Sequence, residues 1–241
     1  MPNIKRIWLL PLIMGLSLIL STVIAVSVYY VTRTSDDILS VTGSTKVSVK
    51  SDLAKWTIDY SRVVSNNSIK VGYEQMAKDL AVVKAYFKKQ GIEESVLTVS
   101  PVFMDQSYDY NKPAAEREFT LRQTIALSLN DVEKMTTIAK NTKEIVDGGV
   151  IFSPRPVEYY YTNLPKLRVD LLSDAVKDAK DRAVKLTEST GRSVGPLRNA
   201  SSGVVQVLPE NSLEISDYGT YDTSTINKEV MMTVRVSFSI K

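Results

Sequence analysis

Apolar and polar positions follow two periods along this chain, and the period separates strands from helices. In "VTGSTKVSV" the residues Val41, Gly43, Thr45, Val47 and Val49 point one way, and in "LAKWTIDYS" Ala54, Trp56, Ile58 and Tyr60 alternate with Lys55, Thr57 and Asp59. Period two predicts two strands, paired as a hairpin through the turn "KSD". From Val71 to Gln90 the period changes: Tyr73, Met76, Leu80, Val83 and Phe87 fall at helical spacing, and Gly91 follows as a C-cap. Val96 to Met104 reads as a strand, and Asp105 to Glu118 as a polar, tyrosine-bearing loop containing Pro113. In "EFTLRQTIALSLN" the residues Phe119, Leu121, Ile125, Leu127 and Leu129 share a face on which Gln123 is the one polar intruder.

Asn130 with Glu133 forms a capping-box pattern that opens a second helix. Its apolar side is Val132, Met135, Ile138, Ala139, Ile145 and Val146, and Gly148 with Gly149 stops it. A strand through Val150 to Tyr161 follows. "SDAVKDAKDRAVKLTESTG" then spaces Ala175, Ala179 and Ala183 by four, with Leu172, Val176 and Leu186 on the same face, and Gly191 closes the helix. Asp178 precedes Arg182 by four on the charged face, the favourable order for a helical ion pair. Strands at Val204 to Leu208 and Val230 to Ile240 complete the chain.

Three one-faced helices and alternating strands predict an α+β fold: an antiparallel or mixed sheet with helices packed on one side, residues 41–241 forming one domain. The alanine stripe fits a helix lying close on a sheet, where small side chains permit near approach. The competing reading is a ligand groove.

The N-terminal segment changes the picture. From Ile7 to Val31, through Trp8 and Leu20, the chain carries no charge, and its roughly 25 residues at 1.5 Å rise exceed a hydrocarbon layer of about 30 Å. Lys5 and Arg6 precede it and Arg33 with Asp36 and Asp37 follow, and the cation excess before it predicts a cytoplasmic N-terminus. The organisation expected is an N-terminal transmembrane helix as membrane anchor over 1–34, a linker over 35–40, and the remainder outside the inner membrane, in the periplasm. The alternative is a cleaved signal peptide, since Ala25 and Ser27 offer a small-residue site before Val28. The length of the apolar run, together with Tyr29 and Tyr30 as an interfacial belt, favours a retained single-pass anchor.

Removing Lys5, Arg6 and Arg33 from the 30 basic residues leaves 27 against 27 acids, so the rest of the chain is neutral. A nucleic-acid surface, which needs a concentrated basic face, is therefore not expected. The chain has no histidine and no cysteine, which excludes a histidine base, a thiolate nucleophile and the usual zinc sites. Asp105, Asp109 and Asn111 lack the glycine and the closing glutamate of a calcium loop. Among 27 acids no carboxylate pair stands out as acid and base. No catalytic residue, cofactor or metal is expected, with a carboxylate-dependent hydrolase as the least favoured alternative.

Several strings resemble the SIMPL-domain family of bacterial envelope proteins. "VTGSTKVSVKSDLAKWTI" resembles the family's opening strand and turn, with Gly43 kept and Ser51-Asp52 where Pro-Asp is usual. "DAVKDAKDRAVKLTESTGRSVGPL", carrying Ala175, Ala179, Ala183, Gly191 and Gly195, is similar to its alanine-rich helix, and "EVMMTVRVSFSIK" to its closing strand. The resemblance implies an extracytoplasmic α+β domain that assembles into ring-like oligomers and serves the cell envelope or stress response, with no catalytic residue to carry over.

Tyrosine concentrates at Tyr108 and Tyr110, at Tyr159, Tyr160 and Tyr161, and at Tyr218 and Tyr221. Tyrosine combines a large apolar area with one polar tip, so these segments are the candidate subunit interface, against the plainer reading that strand edges and loops simply use tyrosine. The function expected is a non-enzymatic, membrane-anchored, self-assembling envelope protein, and the alternative is a periplasmic module binding a small ligand or peptide.

Overall fold

The computed structural model describes residues 9–34, 37–106, 113, 117–212 and 216–241. An apolar helix, α1 (Leu9–Thr34), precedes an α+β body whose chain order is β1 (Ile38–Lys50), β2 (Leu53–Ser65), α2 (Ile69–Lys89), β3 (Thr98–Val99), β4 (Phe103–Gln106), β5 (Glu118–Leu129), α3 (Val132–Lys140) and α4 (Lys143–Asp147). β6 (Phe152–Pro154), β7 (Glu158–Tyr160), α5 (Leu164–Glu188), β8 (Val194–Ser202), β9 (Gln206–Pro209) and β10 (Asn227–Ile240) follow. The chain forms two compact units, one of residues 46–169 and 204–231, the other of residues 1–45, 170–203 and 232–241.

The larger unit is built on an antiparallel sheet in the order β3-β5-β2-β6, with β4 also on β5 and β7 also on β2. β2 and β5 pair over their full length, Ala54 opposite Leu129 through Ser65 opposite Glu118. Period two puts Ala54, Trp56, Ile58 and Tyr60 on one face with Leu121, Ile125 and Leu127, and α2, α3 and α4 cover that face with Met76, Val83, Phe87, Met135, Ile138 and Ile145. Trp56 meets the edges of Phe87 and Phe152, with centroids 6.0 and 6.3 Å away, and its Nε1 donates to the Arg155 carbonyl at 2.9 Å. Gln123, the polar intruder, is buried and satisfied: Tyr60 Oη donates to its Oε1 at 2.5 Å and its Nε2 donates to the Ser100 carbonyl at 2.7 Å.

In the smaller unit β10 pairs antiparallel with β8 and neighbours β1, and α5 lies on one face. Ala175, Ala179 and Ala183 pack with Val41, Val234, Val236 and Phe238. The approach is closest at Gly43, where a Cβ would sit 2.1 Å from the Ala175 carbonyl oxygen and 2.5 Å from the Ala179 nitrogen. Small residues on both partners are thus what allow this helix to touch this strand. Asp178, paired with Arg182 at 2.8 Å, also accepts from the Ser44 backbone N–H at 2.8 Å.

Several boundaries differ from the periodicity. β1 and β2 are not a hairpin, because each belongs to a different sheet, and the turn between them is held by Ser51 N–H to Ile226 and Asp52 N–H to Tyr160. The second helix breaks at Asn141 into α3 and α4, and its cap is Asp131, whose carboxylate accepts from the Lys134 N–H, rather than Asn130. The strands expected over 96–104 and 150–161 are each divided, the first around Pro101 and the second around Pro156, where a ladder donor is missing. Leu172 and Leu186 are exposed, and the buried stripe of α5 is instead Leu171, Ala175, Ala179, Ala183 and Thr187.

Candidate functional site

Within α1 the window Pro11–Val31 has a mean hydropathy of 2.2 and no part of it is buried against the rest of the chain. Leu20 and Val31 are exposed, as are the large apolar residues between them. Ile7 and Trp8 lie outside the described residues. Twenty-one residues of helix are long and apolar enough to cross a bilayer or to act as a signal sequence.

The smaller unit holds a pocket of about 310 Å³ lined by Leu39, Leu186, Thr187, Thr190, Arg192 and Ile240. Leu39 comes from the start of β1, Ile240 from the end of β10, Leu186 and Thr187 from the last turn of α5, and Thr190 and Arg192 from the turn that follows it. Thr187 Oγ1 donates to the Ala183 carbonyl and Thr190 Oγ1 to the Thr187 carbonyl, each at 3.0 Å, so both hydroxyl protons are committed to the helix. Gly191, at φ +69°, turns the chain so that the Arg192 N–H also reaches the Thr187 carbonyl at 3.0 Å. The guanidinium is the one charged group of the lining, and its Nη1 donates to Asp37 Oδ2 at 2.8 Å. No single residue of this pocket signals it in the sequence, since three separate segments supply it.

The tyrosine segments separate. Tyr159 is buried in the core of the larger unit, its hydroxyl 2.9 Å from Thr136 Oγ1. Tyr160 donates to Glu158 at 2.8 Å, carries Lys55 Nζ 4.9 Å above its ring, and lies 5.9 Å from the ring of Tyr221. Tyr221 Oη accepts the Tyr161 N–H at 3.0 Å. The structure therefore brings Tyr160, Tyr161 and Tyr221 together, with Tyr218, 96% exposed, in the same loop as Tyr221. Tyr108 and Tyr110, like Asp109 and Asn111, lie outside the described residues.

The 216–225 loop is anchored from below. Lys228 is fully buried, and its Nζ donates to the Asp222 carbonyl at 2.6 Å and to Asp222 Oδ2 at 3.1 Å. Burial raises the Asp222 pKa, but donors from the Ser224 and Thr225 hydroxyls, the Ser224 N–H and Lys228 together hold it well below the carboxylate range. The sequence carries a signal for this pair: Lys228 shares the parity of Val230 and Met232, the inward positions of β10. A second ion pair, Arg62 on Asp79 at 2.7 Å, is tied by Arg62 Nη2 to the Gly149 carbonyl at 2.6 Å and braces β2 on α2. On the other face of β2, Arg155 Nε bonds Asp59 at 2.7 Å, and the Thr124 hydroxyl bonds the same carboxylate at 2.6 Å. Burial raises the Asp59 pKa, but these bonds from Thr124 and Arg155 leave it net lowered. Among the described residues no three His, Cys, Asp or Glu side chains form a group that would hold a metal ion.

Antiparallel sheets with helices on one face, behind an apolar N-terminal helix, place this chain among α+β proteins with a candidate membrane span. A family model described as "SIMPL: Protein of unknown function (DUF541)" matches residues 39–240, and the chain belongs to that family. No match was found among curated proteins. A solved structure from methicillin-resistant Staphylococcus aureus, provisionally described as an aminohydrolase, is similar at 13% identity, TM-score 0.21, over 50% of this chain and 30% of that one. A likeness this slight carries no argument about fold or activity.

Proposed function

We propose that this chain is a non-enzymatic, membrane-anchored SIMPL protein whose body lies outside the inner membrane, in the periplasm, and assembles with copies of itself in support of the cell envelope or its stress response. The observation that carries the reading is α1: an uncharged 21-residue window, long and apolar enough to cross a bilayer, no part of which is buried. Two cations before it, Lys5 and Arg6, against one after it, Arg33, support a cytoplasmic N-terminus. The supporting surface for assembly is the exposed aromatic loop of Tyr218 and Tyr221 beside Tyr160, since aromatic residues with one polar tip are enriched at subunit contacts.

Intact-mass measurement of the purified mature chain tests the anchor. A mass that includes Ile7 to Val31, with extraction only by detergent, is expected. A chain beginning near Val28 and soluble in buffer overturns it. The second reading, a binding module for a small ligand, is favoured by the pocket at Leu39, Leu186 and Ile240.

A further inference from the structure

We infer that the pocket of the smaller unit is a lipid site, which takes one acyl chain of a phospholipid whose head carries both a phosphate and an ammonium group. This rests on the membrane-anchored reading. Three observations lead to it. The walls are apolar: Leu39, Leu186 and Ile240 face the space, and Thr187 and Thr190 spend their hydroxyl protons on helix carbonyls. About 310 Å³ falls at the small end of ligand pockets.

Second, the rim carries one cation and one anion side by side. Arg192 and Asp37 lie 2.8 Å apart with side chains 47% and 61% exposed, so both remain open to solvent. A purely anionic head would gain Arg192 and be repelled by Asp37. A zwitterionic head meets both: its phosphate takes free donors of the guanidinium fork and its ammonium takes Asp37. An exposed ion pair is worth little by itself, about 0–1 kcal/mol, so exchanging it for two ligand contacts costs little.

Third, the chain places the rim near the bilayer. Asp37 stands three residues after Thr34, the last residue of α1, a reach of roughly 10 Å at most. The start of β1, the end of β10 and the end of α5 thus mark the end of the unit from which the anchor leaves.

The test uses the full chain in phosphatidylglycerol vesicles doped with phosphatidylethanolamine that carries a diazirine at the end of one acyl chain. Irradiation, digestion and mass spectrometry locate the adducts. Adducts are expected on peptides containing Leu186 or Ile240, several-fold more than with the same photoreactive chain on phosphatidylglycerol. Arg192→Gln and Asp37→Asn should each cut that labelling several-fold, with Asp37→Asn removing the difference between the two heads, while melting temperatures stay near that of the parent chain. Label on α1 is the internal reference. Label on α1 with none at the pocket overturns the lipid site alone, as does pocket label indifferent to head group and to both substitutions. Absence of label on α1 overturns the anchored protein and, with it, this site.

Discussion

Lys228 is the least expected side chain in the molecule, a lysine with no exposed surface at the start of an otherwise apolar inward row. A buried cation is tolerable only when paired, and Asp222 supplies both its carboxylate and its carbonyl. Asp222→Ala should therefore destabilise the larger unit by about 3–5 kcal/mol, because it leaves the ammonium unpaired. Adding Lys228→Met to that variant should recover part of the loss. Urea melts of the parent, Asp222→Ala, Lys228→Met and the double variant measure the coupling, and strictly additive losses would show that the pair does not act as one. Acid acts on the same contact. The folded pKa of Asp222 lies below its ordinary value of 3.8, so its stabilisation is complete above that value and is lost as pH falls below it. Asp178, lowered first by the Ser44 N–H and then by Arg182, has the same sign in the smaller unit. The urea midpoint should stay level above about pH 5 and fall below pH 4, and Asp222→Asn should flatten the fall.

At the scale of elements, the close fit of α5 on β1 sets the next expectation. Ala179→Leu overpacks a site where strand and helix backbones already touch and should cost about 1–3 kcal/mol, with Gly43→Ala at least as severe. Lys180→Leu, one position on and facing water, should be nearly neutral. Equal losses at 179 and 180 would mean that the helix presents another face. That face was legible, because spacing by four survives in any helix, but its flanks were not: Leu172 and Leu186 have the composition of core residues and sit on the rim of the stripe. β2, β5 and α2 were equally legible, since each buries one continuous row of apolar side chains. β8 was not, because seven of its nine positions are exposed and no alternation marks them. The hairpin failed for a different reason. Period two gives the face of a strand but not its partner, and β1 and β2 separate into different sheets at Ser51 and Asp52. Of the candidate site residues, Tyr159 went to the core because its parity is that of a strand paired opposite Ala54, information held by β2 rather than by its own segment.

At the scale of the whole molecule, a chain with little net charge beyond α1 would, if anchored as proposed, meet little global repulsion between copies in one membrane. Such tethering would also raise their effective concentration. We propose that these copies close into a ring in which every α1 leaves on one side, since closed cyclic symmetry lets all subunits reach the same bilayer. Light scattering of the full chain in mild detergent should give one defined mass, a multiple of the 26.8 kDa subunit, that persists on dilution. Tyr218→Ser separates contact from folding, because a side chain 96% exposed contributes little to the fold of its own subunit. It should lower the mass or steepen its dependence on concentration while leaving the circular dichroism and the melt unchanged. Tyr159→Ser should do the reverse, lowering the melting temperature through the buried ring and its lost bond to Thr136. A folded chain that stays strictly monomeric at high micromolar concentration would end the assembly reading and leave the pocket beside Arg192 as the feature on which function turns.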